Sequence, residues 1–520
     1  MRLWQVRNVH AGNAIQQGPQ VPTTRTIRIQ PCDDSTLDLG IAAIRRELKL
    51  PEAFPPEVEA TATQAAANPR LPQLDRTDIA LITIDPPGSM DLDQAMFLER
   101  SAGGYRVYYA IADVAAFVTA GDAIDVEANR RGETLYGATS IIPLHPRSLC
   151  EGAASLLPDQ LRPSILWTID LDASGEIAAI DVRRARVRSR AKYDYASVQA
   201  TIDAGTADPI WAVLRDIGVL RQQREQARGG VSLALPEVEI SNTDGQWSLD
   251  YRINHPVEDW NAQISLLTGM AAARLMVQGK VGLLRTLPPP DPQSIVRLRL
   301  TAKALGIAWP DGQSYPDFIR ALDPARPGHV AMMMSCTTVL RGAGYAAFNG
   351  SLPGQPMHSA IAAEYAHVTA PMRRLVDRYA SEVCIALCAG QPIPQWALDA
   401  LSGLPVTMEA SDRRAHQFER AIIDLAVAVM LAPHVGESFD GAIIEVGHDA
   451  AVRDSAGHGV ASHGNARSGN GSHGGIVMLR DPAIEARVSS DSDLPLGADV
   501  TVRLVEADPS RRSSRFELAG

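Results

Sequence analysis

The stretch "LITIDPPGSMDLDQAMFL", residues 81 to 98, sets Asp85, Asp91 and Asp93 around one Pro/Gly turn. The apolar run "ALITI" reads as a strand that delivers Asp85 at its end, and the PPGS turn then reverses the chain. Asp91 and Asp93 are two apart, so an extended backbone points both the same way. Three carboxylates brought to one place repel and raise each other's pKa unless a cation neutralises them. Hard oxygen ligands without thiolate or clustered imidazole suit Mg²⁺ or Mn²⁺. The spacing does not close a calcium loop of EF-hand type. Taken alone, the same residues also make an ordinary solvated acidic turn.

A second constellation is basic. "RRARVRSRAKYDY" carries Arg184, Arg186, Arg188, Arg190 and Lys192 at every second position. On a strand that period puts all five on one face, with charges repeating every ~6.6 Å, a spacing that can track the phosphates of an extended single strand. Tyr193 and Tyr195 follow directly, and an aromatic beside a basic track is the combination that stacks bases. The competing reading is an edge strand guarded by charge.

The third is "EYAHVTAPMRRLVDRYASEV". Tyr365 and His367 precede "TAP", whose proline fits the first turn of a helix. Arg373 and Arg374 would then lie near a positive helix N-terminus, where Thr369, backbone N–H groups and the arginines make an anion site.

The elements that must position these groups follow from pattern. The 520 residues exceed one core, and a prior of about 150 residues per domain gives two to four. Residues 1–68 read as a small helical module, with Leu37, Ile41, Ile44 and Leu48 at helical spacing and a second helix in "PPEVEATATQAAA". Residues 69–432 alternate strand-like runs ("IALITID", "YRVYYAIADV", "SILWTIDLD") with long helical patterns, as one large mixed α/β unit. Residues 433–520 hold five short alternating runs, which suggests a small barrel of OB type, interrupted at 447–475 by a Gly/Ser/His-rich surface insertion. The expected class is multidomain α+β.

Composition bounds the partners. A net charge of −11 argues against a nucleic acid held by bulk electrostatics, so any such partner needs the locally concentrated bases. The five cysteines are scattered without a CxxC pair, which fits a reduced compartment, and Cys384 and Cys388 read as one buried helix face. No apolar run is long enough to span a bilayer and "MRLWQVRNVHAGNA" has no signal-peptide core, so the expectation is a cytoplasmic protein without membrane contact.

Taken in order, these motifs resemble the ribonuclease II / ribonuclease R family of exoribonucleases. "TIDPPGSMDLDQA" is similar to its acidic signature, "YYAIADVAAFV" to the following strand, "IIPLHPRSLCEGAASLLPDQLRPSI" to its proline-rich segment and "YAHVTAPMRRLVDR" to its Tyr/Thr-Pro-Arg segment. The resemblance covers residues 69–520 and implies an RNB catalytic domain followed by an RNA-binding OB module. It implies a processive, magnesium-assisted hydrolase that cuts single-stranded RNA from the 3′ end into nucleoside 5′-monophosphates. Asp85, Asp91 and Asp93 match its metal-binding acids, with Asp93 at the position most closely tied to catalysis. Arg373 matches the arginine on the scissile phosphate, Tyr195 a base-stacking tyrosine, and Glu419 a carboxylate near the 3′-terminal nucleotide.

The chain departs from that pattern in four places. Gln94 stands at the fourth acidic position, where its amide oxygen can serve a metal but brings no charge. His358 stands where a second stacking Phe is common. The helical module, with a helix-turn-helix-like look and a possible protein or RNA partner, replaces an N-terminal cold-shock pair. The last 88 residues carry eight Lys/Arg against thirteen Asp/Glu, which weakens the terminal barrel as an RNA binder. Two rivals follow: a noncatalytic RNA-binding regulator that keeps the channel, and an exonuclease on DNA, separable by whether a 2′-OH is needed.

Overall fold

The computed structural model describes residues 24–29, 35–137, 141–233, 237–243, 246–252, 254–323, 326–446, 473–480 and 484–519. Most of the insertion, including His458 and His463, lies outside them.

Alternating apolar residues build a closed five-stranded barrel from Leu81–Asp85, Gln94–Ser101, Gly104–Ala112, Leu161–Asp172 and Ile177–Asp194. Both faces of the strands are covered: Val107, Ile169 and Trp167 are fully buried, and so are Ala110 and Ala112, which the period of two places on the face opposite Val107. Neighbours pair antiparallel except at closure. There Leu81–Asp85 runs parallel to the end of Ile177–Asp194, with Thr83 opposite Lys192 and Asp85 opposite Asp194. That register brings the end of the acidic strand beside the end of the basic one.

Helix Pro256–Gly279 shares a core with this barrel, joining Ile264, Leu267, Ala271 and Met276 to Ile82, Ile84 and Met96. Pro at its first position and the His255/Glu258 capping box start it, and Lys280 in the left-handed conformation ends it. Midway along, Gly269 leaves room for the Tyr365 ring, which a Cβ there would strike. The Gly269 carbonyl also accepts the Ala366 N–H at 3.1 Å, so the helix anchors the segment that leads to Arg373.

Both N-terminal helices stand where their spacing places them, at Ser35–Glu47 and Pro56–Ala67. They join different cores. Leu37, Ile41 and Ile44 pack with helix Leu404–Leu431 and the C-terminal barrel, whereas Val58 and Ala62 pack under the first barrel with Phe117 and Leu149. A strand at Thr24–Ile29, which the polar N-terminal sequence did not announce, pairs with Gln246–Arg252 and, through it, Glu237–Thr243. The five C-terminal runs form a second closed barrel from Ser438–Val446, His473–Leu479, Glu485–Ser490, Asp499–Asp508 and Ser513–Leu518. Among the described residues no helix is long and apolar enough to cross a membrane.

Candidate active site and nucleic-acid interface

Asp85 ends its barrel strand, and Asp93 immediately precedes the next one. Asp93 is buried, and Leu92 beside it is locked into the core with its N–H donated to Ser155 Oγ at 3.0 Å. Asp93 Oδ1 accepts the Met372 N–H at 2.9 Å, and Oδ2 accepts Arg373 Nε–H at 3.3 Å. A turn preceding helix Leu375–Ala389 supplies both donors, so the acidic loop and the arginine segment meet at one carboxylate.

Burial is the main force on the acids. It pushes Asp93 up to about 7 against the Arg373 cation and the Met372 N–H, with Asp91 adding to the rise. Asp85 also goes up to about 7, from burial opposed by Arg373 and reinforced by Asp93 and Asp91. Asp91 is raised by burial, and Glu151 adds to that rise. A hard divalent cation would relieve this excess of negative charge, and the donor set is oxygen only. Among the described residues no three His, Cys, Asp or Glu side chains close on one point at metal-ligand spacing. The arrangement therefore suits magnesium bound through one or two carboxylates, with water and a phosphate completing the shell.

Several expected site residues have other partners. Arg374 forms a two-pronged ion pair with the fully buried Asp377, at 2.9 and 2.8 Å, and so is a structural cation rather than an RNA ligand. The physical reason is that a buried carboxylate must be paired. Helix Leu375–Ala389 starts after Arg374, so Pro371 sits in the preceding turn and not in the helix. Thr369 is buried, with Oγ1 sharing a hydrogen bond with Ser265 Oγ at 2.9 Å. Tyr365 is 1% exposed, edge-on to His358 and His367, and packs where a base cannot reach it. His358 is nearly buried as well, and burial followed by the Arg285 charge depresses its pKa to about 4, leaving a neutral ring in place of an open platform.

The basic track divides. Arg184 is held between Asp113, at 2.8 Å, and Glu382, both buried, which removes it from the phosphate face. Arg186 pairs with Asp75 at 3.3 Å, Arg188 is exposed, and Arg190 donates to the Thr77 carbonyl at 3.3 Å. Lys192 turns into the acidic pocket, donating Nζ–H to the Ser89 carbonyl inside the PPGS turn and drawing down the pKa of both Asp85 and Asp91. Tyr195 opens helix Tyr195–Asp203, half-buried, and its hydroxyl accepts Asn261 Nδ2–H at 3.0 Å. Glu419 lies half-buried on helix Leu404–Leu431, next to the buried Phe418.

Sequence reasoning missed two groups here. Glu151 lies in the proline-rich segment and Tyr136 in a short strand, Leu135–Tyr136. Glu151 adds to the rise of Asp91, and burial holds the Tyr136 phenol protonated within electrostatic reach of Arg373, Asp91 and Asp93. Tyr136 carried no spacing signal, since it reaches the site through the pairing of Glu133 with Arg374.

The RNB domain family matches residues 73–387, and the RNase II-type exonuclease C-terminal S1 domain matches residues 466–519. Ribonuclease R of Vibrio parahaemolyticus is 25% identical over 426 residues, 76% of this chain and 50% of its own length. Ribonuclease R of Escherichia coli is 26% identical over 423 residues, 76% of this chain and 51% of its own. The chain thus spans about half the length of these curated relatives. Among solved structures, the apo form of Mycoplasma genitalium RNase R superposes with a TM-score of 0.79 at 19% identity, over 94% of this chain and 79% of that one. Yeast Ssd1, described as a pseudonuclease, superposes with a TM-score of 0.65 at 16% identity, over 91% of this chain and 57% of its own. Likenesses at these identities establish the fold.

Proposed function

Because the chain belongs to the RNB family, we propose that it is a processive exoribonuclease that hydrolyses single-stranded RNA from the 3′ end and releases nucleoside 5′-monophosphates. The observation that carries this reading is the meeting of Asp93 with the Met372 N–H and Arg373 beside Asp85 and Asp91. Such a site sets carboxylates and a guanidinium side by side, where both can act on one phosphate.

One or two carboxylates drawn from Asp85, Asp91 and Asp93 would hold magnesium or manganese, which supplies a Lewis acid and an acidified water at the phosphate. The chain's own residues do the rest. Asp93 orients Arg373 through Nε, leaving the terminal amino groups for a non-bridging phosphate oxygen as charge grows there. Lys192 draws the PPGS turn onto the pocket and offsets part of its charge before substrate enters. Arg186, Arg188 and Arg190 would follow the incoming backbone, and Tyr195 would stack a base near the pocket. Glu419 would sit by the terminal nucleotide. No covalent enzyme intermediate is needed.

The second reading is a noncatalytic RNA-binding regulator, favoured by the finding that among the described residues no three candidate ligand side chains converge at metal-ligand spacing. One assay separates the two: labelled single-stranded RNA and a matched DNA strand, each with Mg²⁺ and with chelator. The nuclease reading expects mononucleotides from RNA with Mg²⁺ only. Binding without release under every condition would establish the regulator.

A further inference from the structure

Gln94 follows Asp93 at the start of barrel strand Gln94–Ser101, and its amide is engaged at both ends. Nε2 donates to the Thr369 carbonyl at 2.6 Å, and Oε1 accepts the Tyr109 hydroxyl at 2.6 Å. Tyr109 belongs to the neighbouring barrel strand and is buried, so this end is anchored in the barrel wall. Thr369 belongs to the segment that ends in Arg373. Polarity fixes which way the amide points. A carbonyl can only accept, so the NH₂ end must face Thr369 and the oxygen end then meets the hydroxyl. Asp lacks both the reach and the N–H donor. Glu has the reach but offers two acceptors when ionised, and Met has the reach with neither group.

The segment is pinned at three successive points. Gln94 holds the Thr369 carbonyl, Asp377 Oδ1 accepts the Ala370 N–H at 2.6 Å, and Asp93 Oδ1 accepts the Met372 N–H at 2.9 Å. Of these three pins, Gln94 is the one that grips an acceptor. Without it the Thr369–Ala370 peptide is held at its N–H end alone, by Asp377, so its plane can tilt about that bond, and the tilt passes along the segment to the guanidinium.

We propose that Gln94 is a positioning residue: it fastens the Thr369 carbonyl to the barrel wall, thereby setting Arg373 against Asp93, and does not serve as a metal ligand. The proposal rests on the reading above that Arg373 takes the substrate phosphate. It also reverses the simple expectation for this position. Installing an acid at residue 94 removes the N–H donor that holds the Thr369 carbonyl, and so impairs the site instead of improving metal binding.

The test uses the full chain with Gln94→Met, Gln94→Glu, Gln94→Asp, Tyr109→Phe and the double variant Gln94→Met with Tyr109→Phe. Hydrolysis of single-stranded RNA, RNA affinity, the half-saturating Mg²⁺ concentration and denaturant unfolding are measured for each. The expected result is a fall in kcat of roughly 10–100-fold for all three Gln94 variants, the scale of a misplaced catalytic group. KM, RNA affinity and the Mg²⁺ midpoint should stay within about twofold of wild type, with kcat expressed per folded molecule from the unfolding curves so that loss of folded protein is not counted as loss of rate. Adding Tyr109→Phe to Gln94→Met should change kcat little further, because the partner is already lost. Gln94→Asp with undiminished kcat, or with a lower Mg²⁺ midpoint, overturns the proposal and returns residue 94 to the metal shell. A wild-type chain that releases no nucleotide defeats the functional reading and leaves the strut to the unfolding data. There, non-additive stabilities of Gln94→Met and Tyr109→Phe support it, and strictly additive ones overturn it.

Discussion

Asp93 Oδ2 accepts Arg373 Nε–H at 3.3 Å, while Oδ1 of the same buried carboxylate accepts the Met372 N–H at 2.9 Å. One side chain therefore fixes both the arginine and the backbone turn that carries it. Each oxygen keeps a further lone pair for other partners. The consecutive arginines consequently have opposite tasks: Arg373 faces this pocket, and Arg374 is consumed by Asp377.

Removing Arg373 should lower the hydrolysis rate by roughly 10² or more, since a cation placed on developing phosphate charge acts mainly in the transition state. Removing Arg188 should instead weaken RNA binding and reduce the slope of log affinity against log salt by about 0.7, the single-strand value for one phosphate contact. Paired measurements of rate and salt-dependent affinity on Arg373→Ala and Arg188→Ala check this. The same rate loss in both would contradict the division.

Arg374→Met should act on stability. It leaves Asp377 buried and without its cation, which costs about 3–5 kcal/mol. Denaturant unfolding is the measurement, and a variant as stable as wild type would show that Asp377 finds another partner.

Four residues and one turn of this region show how much the sequence can say. The acidic turn, the alternation of the basic strand and the five runs of the terminal barrel were legible because each is written in adjacent residues. Partners were not. Arg184 and Arg374 look like phosphate ligands until Asp113, Glu382 and Asp377 are seen buried against them, and two of those three lie far along the chain from the arginine they hold. Tyr365 failed for a related reason: its burial depends on Gly269, a missing side chain on a distant helix. Gln94 looked like a weakened metal ligand because its two partners, Tyr109 and Thr369, meet only in the fold.

Gly269→Ala should destabilise the protein by about 1–3 kcal/mol, because the new methyl group meets both the Tyr365 ring and the Ala366 carbonyl in a packed core. Melting with and without Tyr365→Leu checks the share of the ring. Partial relief by the smaller ring-free side chain is expected, since the carbonyl contact remains, and equal destabilisation in both backgrounds would refute a part for the ring.

The raised carboxylates give the metal-free protein a characteristic pH dependence. Asp85 and Asp93 hold protons in the folded state up to about pH 7, whereas the unfolded chain releases them near pH 4. The folded state binds more protons across that window, so stability falls as pH rises from about 4 to about 7 and levels off above it. Each group contributes a slope of up to about 1.4 kcal/mol per pH unit. Unfolding of chelator-treated protein across this range should show a shallower fall for Asp93→Asn than for wild type. Parallel curves would mean that Asp93 is ionised throughout.

The most direct measurement is the parallel assay of RNA hydrolysis and RNA affinity for wild type and Asp93→Asn. The carboxylate is assigned to the transition state, and affinity to the basic track and stacking. The expected result is loss of mononucleotide release with RNA affinity kept within about fivefold. Near-normal turnover by Asp93→Asn would contradict the assignment of chemistry to this site.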